Sequence, residues 1–264
     1  MRILKQETFV MTRLVALDRN AHKDLRILND RALSPCATAN MVTVVVSEIP
    51  RLVIQYPIVL TRSADNSRYV PIALFGLENE QNLFWRNNQW EGVCMPLNIV
   101  RQPFYIGFAN PNNPDPKQMV ALVDMENPGV QTSEGELLFD EKGEQTLFLK
   151  RKLGALAELM EFEAKTQQFV DKLNALGLIT PMGLEVKFVN EEKPRRIGGL
   201  FTVAEDKVRA LSKDTIGELH SLGYLAPIYA MMCSLGHIYS LLAKRNTSPS
   251  APAAEPPKAA NDGQ

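Results

Sequence analysis

The chain has 264 residues, is 45% hydrophobic and carries 29 Lys plus Arg against 30 Asp plus Glu. This supplies one sizeable core or two smaller ones. The near-neutral charge excludes the basic excess that nucleic-acid binding needs. Cys36, Cys94 and Cys233 are scattered and form neither a disulfide framework nor a metal-ligand spacing, which fits a reducing, cytoplasmic setting.

Met1 to Glu7 carries no apolar run of signal-peptide length, so no export signal is expected. Residues 1–39 read as a leader or extension, because the charged, Asn-containing run Asp18–Asp30 is anchored only by Leu25, Ile27 and Leu28. Met41–Val46 is a β-branched run and predicts a strand. Ser47 is placed as a helix N-cap, with Glu48 and Pro50 in the first turn. Tyr56-Pro57 ends that turn, since a residue before proline leaves the helical region. Ile58–Leu60 and Tyr69–Leu77 read as a hairpin around the polar turn Ser63–Ser67.

Asn87-Asn88 predicts a tight hairpin between Asn82–Arg86 and Gln89–Glu91, because asparagine tolerates positive φ. Met95–Arg101 reads as one helical turn, and Pro103–Phe108 and Met119–Met125 as strands. The proline- and asparagine-rich stretch between them, Asn110–Pro116, reads as a loop. Leu137–Phe139 and Gln145–Leu149 predict one more hairpin. From Leu149 the apolar period becomes helical through Leu176, with Gly177 as the terminating residue.

Leu184–Val189 and Leu200–Val203 read as strands, and Pro194–Gly199 as a loop. Helices are expected up to Leu211, over Asp214–Leu222 and over Leu225–Lys244. Cys94 and Cys233, set among apolar residues, read as small buried hydrophobes. No stretch reaches ~18 uninterrupted apolar residues, so no membrane span is expected. Residues 245–264, rich in Ser, Pro and Ala, are expected to be disordered. The whole predicts an α+β fold in a single domain, 40–244: a mostly antiparallel sheet (41–149) covered by a helical half (150–244).

Several pieces, in order, carry a family likeness. They are Ser47-Glu-Ile-Pro50, Gln55-Tyr-Pro-Ile-Val-Leu60, Ala73-Leu-Phe-Gly-Leu77, Asn82-Leu-Phe84, Trp90, Met95-Pro96 and Arg101-Gln-Pro-Phe104. Leu138-Phe-Asp140 with Gly143, and Gly223-Tyr-Leu-Ala-Pro-Ile-Tyr-Ala230 with Ser234-Leu235, complete the set. From about Asn40 to Leu242 the chain resembles the SapC family of bacterial proteins, named for an association with a surface layer. The resemblance implies no catalytic residue and no cofactor. It implies a binding or accessory protein linked to the envelope, or else an enzyme or obligate enzyme partner found beside halogenase and cupin-type oxygenase systems. That second reading takes a peptide or a small aromatic substrate.

No motif for nucleophilic, phosphate or metal chemistry is present, so no cofactor and no metal are expected. His220 and His237 sit on neighbouring predicted helices but lack a third ligand. Asn110–Pro116, with Asp124 and Glu126, holds hard oxygens of the kind that bind calcium; turn chemistry explains them equally. Trp85 and Trp90, beside Arg86 and Arg101, read first as core aromatics, since large aromatic side chains mostly bury. The sharper alternative is a surface for an extended peptide, a protein partner or a sugar, and on that reading Trp90→Ala leaves the melting temperature nearly unchanged. Glu48, Tyr56, Arg101 and Tyr229 are the polar residues inside the family-like pieces. Tyr229 is expected to meet Glu48, joining sheet to helices by a packed seam or a pocket. A pocket there favours the enzyme reading, and a flat aromatic strip the binding one; homo-oligomerisation is left open.

Overall fold

The computed structural model describes residues 2–3, 13–108, 118–189 and 191–247. The expected loop Asn110–Pro116 and the expected disordered tail from residue 248 lie outside them. Strand β1 (Arg2–Ile3) pairs in parallel with Ile197 and Gly198. Next come β2 (Leu14–Ala16), β3 (Arg26–Ile27), the single helical turn α1 (Asn29–Ala32) and a 3-10 turn at Ser34–Thr38. Residues 13–39 are therefore not a loose extension. β3 is the middle strand of a sheet with Val130–Gln131 and Glu136–Leu137. Leu25, Ile27, Ala32, Leu33 and Cys36 are buried. Few apolar residues suffice here because the partners come from a hundred residues away.

The central element is the antiparallel hairpin β5 (Ile58–Arg62) and β6 (Tyr69–Leu74), preceded by β4 (Met41–Thr43) and the short helix α2 (Ile49–Leu52). β4 pairs antiparallel with β6 and forms one edge of a five-stranded sheet. β7 (Trp85–Arg86) and β8 (Gln89–Trp90) make the expected tight hairpin, with Asn87 and Asn88 at φ 50° and 60°. The single helical turn α3 (Leu97–Val100) follows. β9 (Phe104–Phe108) and β10 (Met119–Asp124) then form an antiparallel sheet with β2. β11 (Val130–Gln131) and β12 (Glu136–Leu137) flank β3. The hairpin expected at Leu137–Leu149 reduces to one bridge, Phe139 to Gln145. Thr146 instead caps a helix there by accepting from the Leu149 amide.

That helix, α4 (Leu147–Ala175), is 29 residues long. Gly177 ends it at φ +65°, donating to the Asn174 carbonyl while Leu178 donates to Leu173. This double bond across a left-handed glycine is the Schellman motif, and buried Leu173 and Leu178 supply its apolar contact. The second half of the chain is not purely helical. It adds β13 (Ile179–Pro181), β14 (Leu184–Val186), β15 (Arg195–Gly198) and β16 (Phe201–Val203), and β13 and β16 complete the large sheet in the order β13-β16-β5-β6-β4. β15 occupies the expected loop, because pairing with β14 and β1 outweighs its two arginines.

Helices α5 (Glu205–Arg209), α6 (Lys213–Ser221), α7 (Leu225–Ser234) and α8 (His237–Thr247) close the chain. The one helix expected over Leu225–Lys244 is broken at Leu235-Gly236. Taken together, Leu225–Thr247 is long and apolar enough to cross a bilayer by length and composition alone, a test that the core helix of a soluble protein also passes; a third of its most apolar 18-residue window is buried in the fold. Arg245, assigned above to the tail, is helical and ion-pairs with Glu78, which also binds Arg195. Both guanidinium groups stack over Phe188. Cys36 is buried, but Cys94 is half-buried and Cys233 is exposed on α7.

Two cores result. The larger gathers β4–β6, α2, α7 and the C-terminal half of α4, with Phe169, Val170 and Leu173. The smaller gathers β3, β9, β10 and the N-terminal half of α4, with Leu149 and Leu156. A small cluster of Val45, Leu97 and Ala155, with Leu159 and Phe162 packed against it, lies between them.

Candidate functional site

The stretch from Ser47 to Leu60 is the clamp on which the site is built. Glu48 is not in a helical first turn with Ser47 as its cap; it is itself the residue preceding α2. Its carboxylate accepts from the Val45 amide at 3.0 Å and from the Leu97 amide, the first of α3, at 2.8 Å. Gln55 Oε1 accepts from the Val93 amide at 2.7 Å, and the Tyr56 hydroxyl donates to the Cys94 carbonyl. Three side chains of one stretch thus hold the segment 93–97 and aim α3. Ser47 Oγ donates to Glu158 at 3.0 Å, and Thr166 Oγ1 accepts from the Val46 amide at 2.9 Å, which fixes α4 alongside.

Between these elements lies a cavity of about 290 Å³, close to the small end of small-molecule sites, about 300–1,000 Å³. One wall is the sheet edge, from Thr43–Val45 after β4 and Val70-Pro71 of β6. The other is α4, where Leu159, Glu163, Thr166 and Gln167 share one face by helical spacing. Asn98 of α3 closes one side, donating to the Thr43 carbonyl at 3.0 Å and accepting from Arg101 Nε at 2.8 Å. Arg68 and Glu163 also line the cavity; both are exposed, and neither side chain has a partner among the described residues. The buried part of the lining is Val44, Val45, Pro71 and Thr166, and the exposed part carries, among the described residues, the cation Arg68 and the anion Glu163.

Of the six residues singled out from the sequence, none lines this cavity, though three support it. Glu48 and Tyr56 aim α3, and Arg101 braces Asn98 while donating to the Phe104 carbonyl at 2.8 Å and stacking 4.1 Å over Tyr105. Glu48 and Tyr229 do not meet: Glu48 is buried by its amide donors, while Tyr229 is 51% exposed on the outer face of α7. The seam between sheet and helices is nevertheless tied, by other groups. Ser234 Oγ accepts from the Ile58 amide at 2.9 Å, and a His237 ring nitrogen meets the Val53 carbonyl at 2.9 Å. His220 is exposed and is not brought to a metal site with His237.

Trp85 and Trp90 face each other across the β7–β8 hairpin, and both are half-buried. Trp90 packs against Phe75 at 5.1 Å and Phe84 at 6.3 Å, and Tyr56 lies 6.5 Å away. Its indole nitrogen is buried without a hydrogen-bond partner. Gly92 permits this closeness: a Cβ there would lie 2.2 Å from the Tyr56 hydroxyl and 2.4 Å from Trp90 Nε1. The aromatic stretch is therefore largely a closed cluster, as the core reading has it, and not the flat strip of the alternative. Trp90→Ala is expected to lower stability by about 2 kcal/mol, half the cost of a fully buried Trp; an unchanged denaturation midpoint would return Trp90 to the surface.

Titratable groups are buried outside the cavity lining. Burial raises the Glu48 carboxyl above its ordinary value, although the Leu97 and Val45 amides and Arg51 at 3.5 Å oppose the shift. Burial lowers Lys152 to about 8, and Lys152 Nζ has one hydrogen bond, to Asn29 Oδ1 at 2.8 Å. Cys36, near both Lys152 and Arg101, is pushed up to about 12 by burial, which removes it as a nucleophile at neutral pH. Among the described residues no group of three His, Cys, Asp or Glu side chains is placed to hold a metal ion.

Arg68, Asn98, Glu163 and Thr166 escaped sequence reading. Asn98 alone carried a signal, lying between Met95-Pro96 and Arg101 in a family-like piece. A family model described as SapC matches residues 17–241. No curated protein and no solved structure matches the chain.

Proposed function

Because the chain belongs to the SapC family, whose model spans residues 17–241, we propose that it is a non-enzymatic binding protein, accessory on the cytoplasmic side to a bacterial surface-layer, envelope or secretion process. Its ligand site is the cleft between α4 and the β4–β6 edge, sized for a small polar molecule or the end of a peptide. The observation that carries this reading is the 290 Å³ cavity itself, lined by Val44, Val45, Val70, Pro71 and Leu159 together with Arg68, Asn98, Glu163 and Thr166. A purely structural account explains the buried clamp of Glu48, Gln55 and Tyr56; it leaves an open, charged-rim cavity at the end of that clamp without a purpose.

The test is capture of small molecules from a bacterial metabolite extract by the purified chain, read by mass spectrometry, beside the cleft-filling variant Val70→Phe. The expected result is one compound retained at a 1:1 ratio by the wild type and lost from the variant. Retention by both, or by neither, overturns the assignment of the cleft. Chemical conversion of the retained compound would replace a binding role with an enzymatic one.

A further inference from the structure

We propose that the cleft takes a zwitterion of the α-amino acid or dipeptide class, its carboxylate on Arg68 and its ammonium on Glu163. The inference rests on the cleft being the ligand site and adds the chemistry of the ligand. Arg68 is the last residue of the β5–β6 return, directly before β6, and Glu163 comes from the middle of α4, so the two charges enter one cavity from its sheet side and its helix side. They form no ion pair with each other within 4.0 Å, and neither side chain has another partner among the described residues. Oppositely charged neighbours left apart across a concavity are satisfied together by a molecule carrying both charges.

Arginine binds a carboxylate through two parallel donors, and a glutamate accepts from an ammonium, so the two walls read opposite ends of one ligand. Val44, Val70 and Leu159 supply an apolar surface for a side chain, and Asn98 and Thr166 line the space between. Thr166 Oγ1 is already engaged, accepting from Val46 and donating to the Phe162 carbonyl at 2.6 Å. Asn98 is likewise engaged with Thr43 and Arg101. Gln167 Nε2 donates to Asp171 Oδ1 at 2.7 Å. Among the described residues the charged groups of the lining are Arg68 and Glu163, and neither is engaged.

Titration calorimetry with four probes tests this: L-leucine, glycyl-L-leucine, L-leucinamide and N-acetyl-L-leucine. The amide lacks the carboxylate and the acetyl derivative lacks the ammonium. The wild type is expected to bind L-leucine or glycyl-L-leucine at a 1:1 ratio, and each blocked probe at least tenfold more weakly. Whichever zwitterion binds tighter tells free amino acid from dipeptide. Arg68→Gln should erase the preference over leucinamide alone, and Glu163→Gln the preference over N-acetyl-leucine alone. Both side chains are exposed, so both variants should melt with the wild type. Equal affinity for all four probes, or affinity for none, overturns the inference. If the probes fail while capture from extract still depends on Val70, the cleft remains a binding site for another class of ligand; if capture ignores Val70→Phe, the binding reading itself fails.

Discussion

Glu48→Ala is expected to lower the free energy of unfolding by roughly 2–5 kcal/mol, because it strands two buried backbone donors at once. Val45 and Leu97 both give their amide protons to this carboxylate, which ties the residues just after β4 to the start of α3 beside the Asn98–Thr43 bond. Glu48→Gln is the sharper comparison. A carboxamide keeps one acceptor oxygen and turns a donor toward the other amide, so the expected loss is about 1–3 kcal/mol. Denaturant melts measure both. The pH dependence has a definite sign. Burial raises the folded-state carboxyl above its ordinary 4.5, so the native state keeps a proton that the unfolded chain has released. The stability this group contributes is full below 4.5 and falls as pH rises toward the folded value. Glu48→Gln should flatten that slope; a variant as stable as wild type with an unchanged slope would remove Glu48 from its place in the clamp.

Lys152→Met is expected to do the opposite and stabilise the protein by roughly 3 kcal/mol at pH 7. Lys152 is 6% exposed; its ammonium has one hydrogen bond, to Asn29, and lies 5.1 Å from the Phe148 ring, so it is desolvated with little return. Its value falls from 10.5 to about 8. At pH 7 it is charged in both states and the whole cost is present. Between 8 and 10.5 the unfolded chain holds the proton that the native state has lost, so stability rises with pH across that window. Methionine fills a similar volume without the charge, and should raise the thermal midpoint and abolish the rise above pH 8. A less stable Lys152→Met would show that the ammonium has stronger company than Asn29.

What could be read from the sequence was local. Asn87-Asn88, Gly177 and the hairpin around Ser63–Ser67 announce their geometry within a few residues, because positive φ and strand alternation are short-range demands. The α+β class follows from the same signals. Residues 13–39 and strand β15 were misjudged because their stability is borrowed: Arg26–Ile27 is a strand only beside Val130–Gln131 and Glu136–Leu137. The cleft was invisible for a related reason. It is assembled from positions 43–45, 68–71, 98 and 159–167, and no two of those segments share a motif. Arg68 and Glu163 look like any exposed charge until the fold sets them on facing walls. The surface alternative for Trp90 fails for the same reason, since the cluster that encloses it draws in Tyr56, just before β5, and Phe75, just after β6.

The length of α4 has a consequence for how the protein comes apart. Twenty-nine residues at 1.5 Å each make a rod of about 44 Å. Its first turns are anchored in the smaller core through Leu149 and Leu156, and its last in the larger through Phe169 and Leu173. A break in the helix frees carbonyls on its N-terminal side and amides on its C-terminal side. The two cores are therefore coupled into one cooperative unit although they share few residues, and the cleft midway along the rod sits where that coupling is carried. A guest bound there stiffens the span between the cores and protects both from opening.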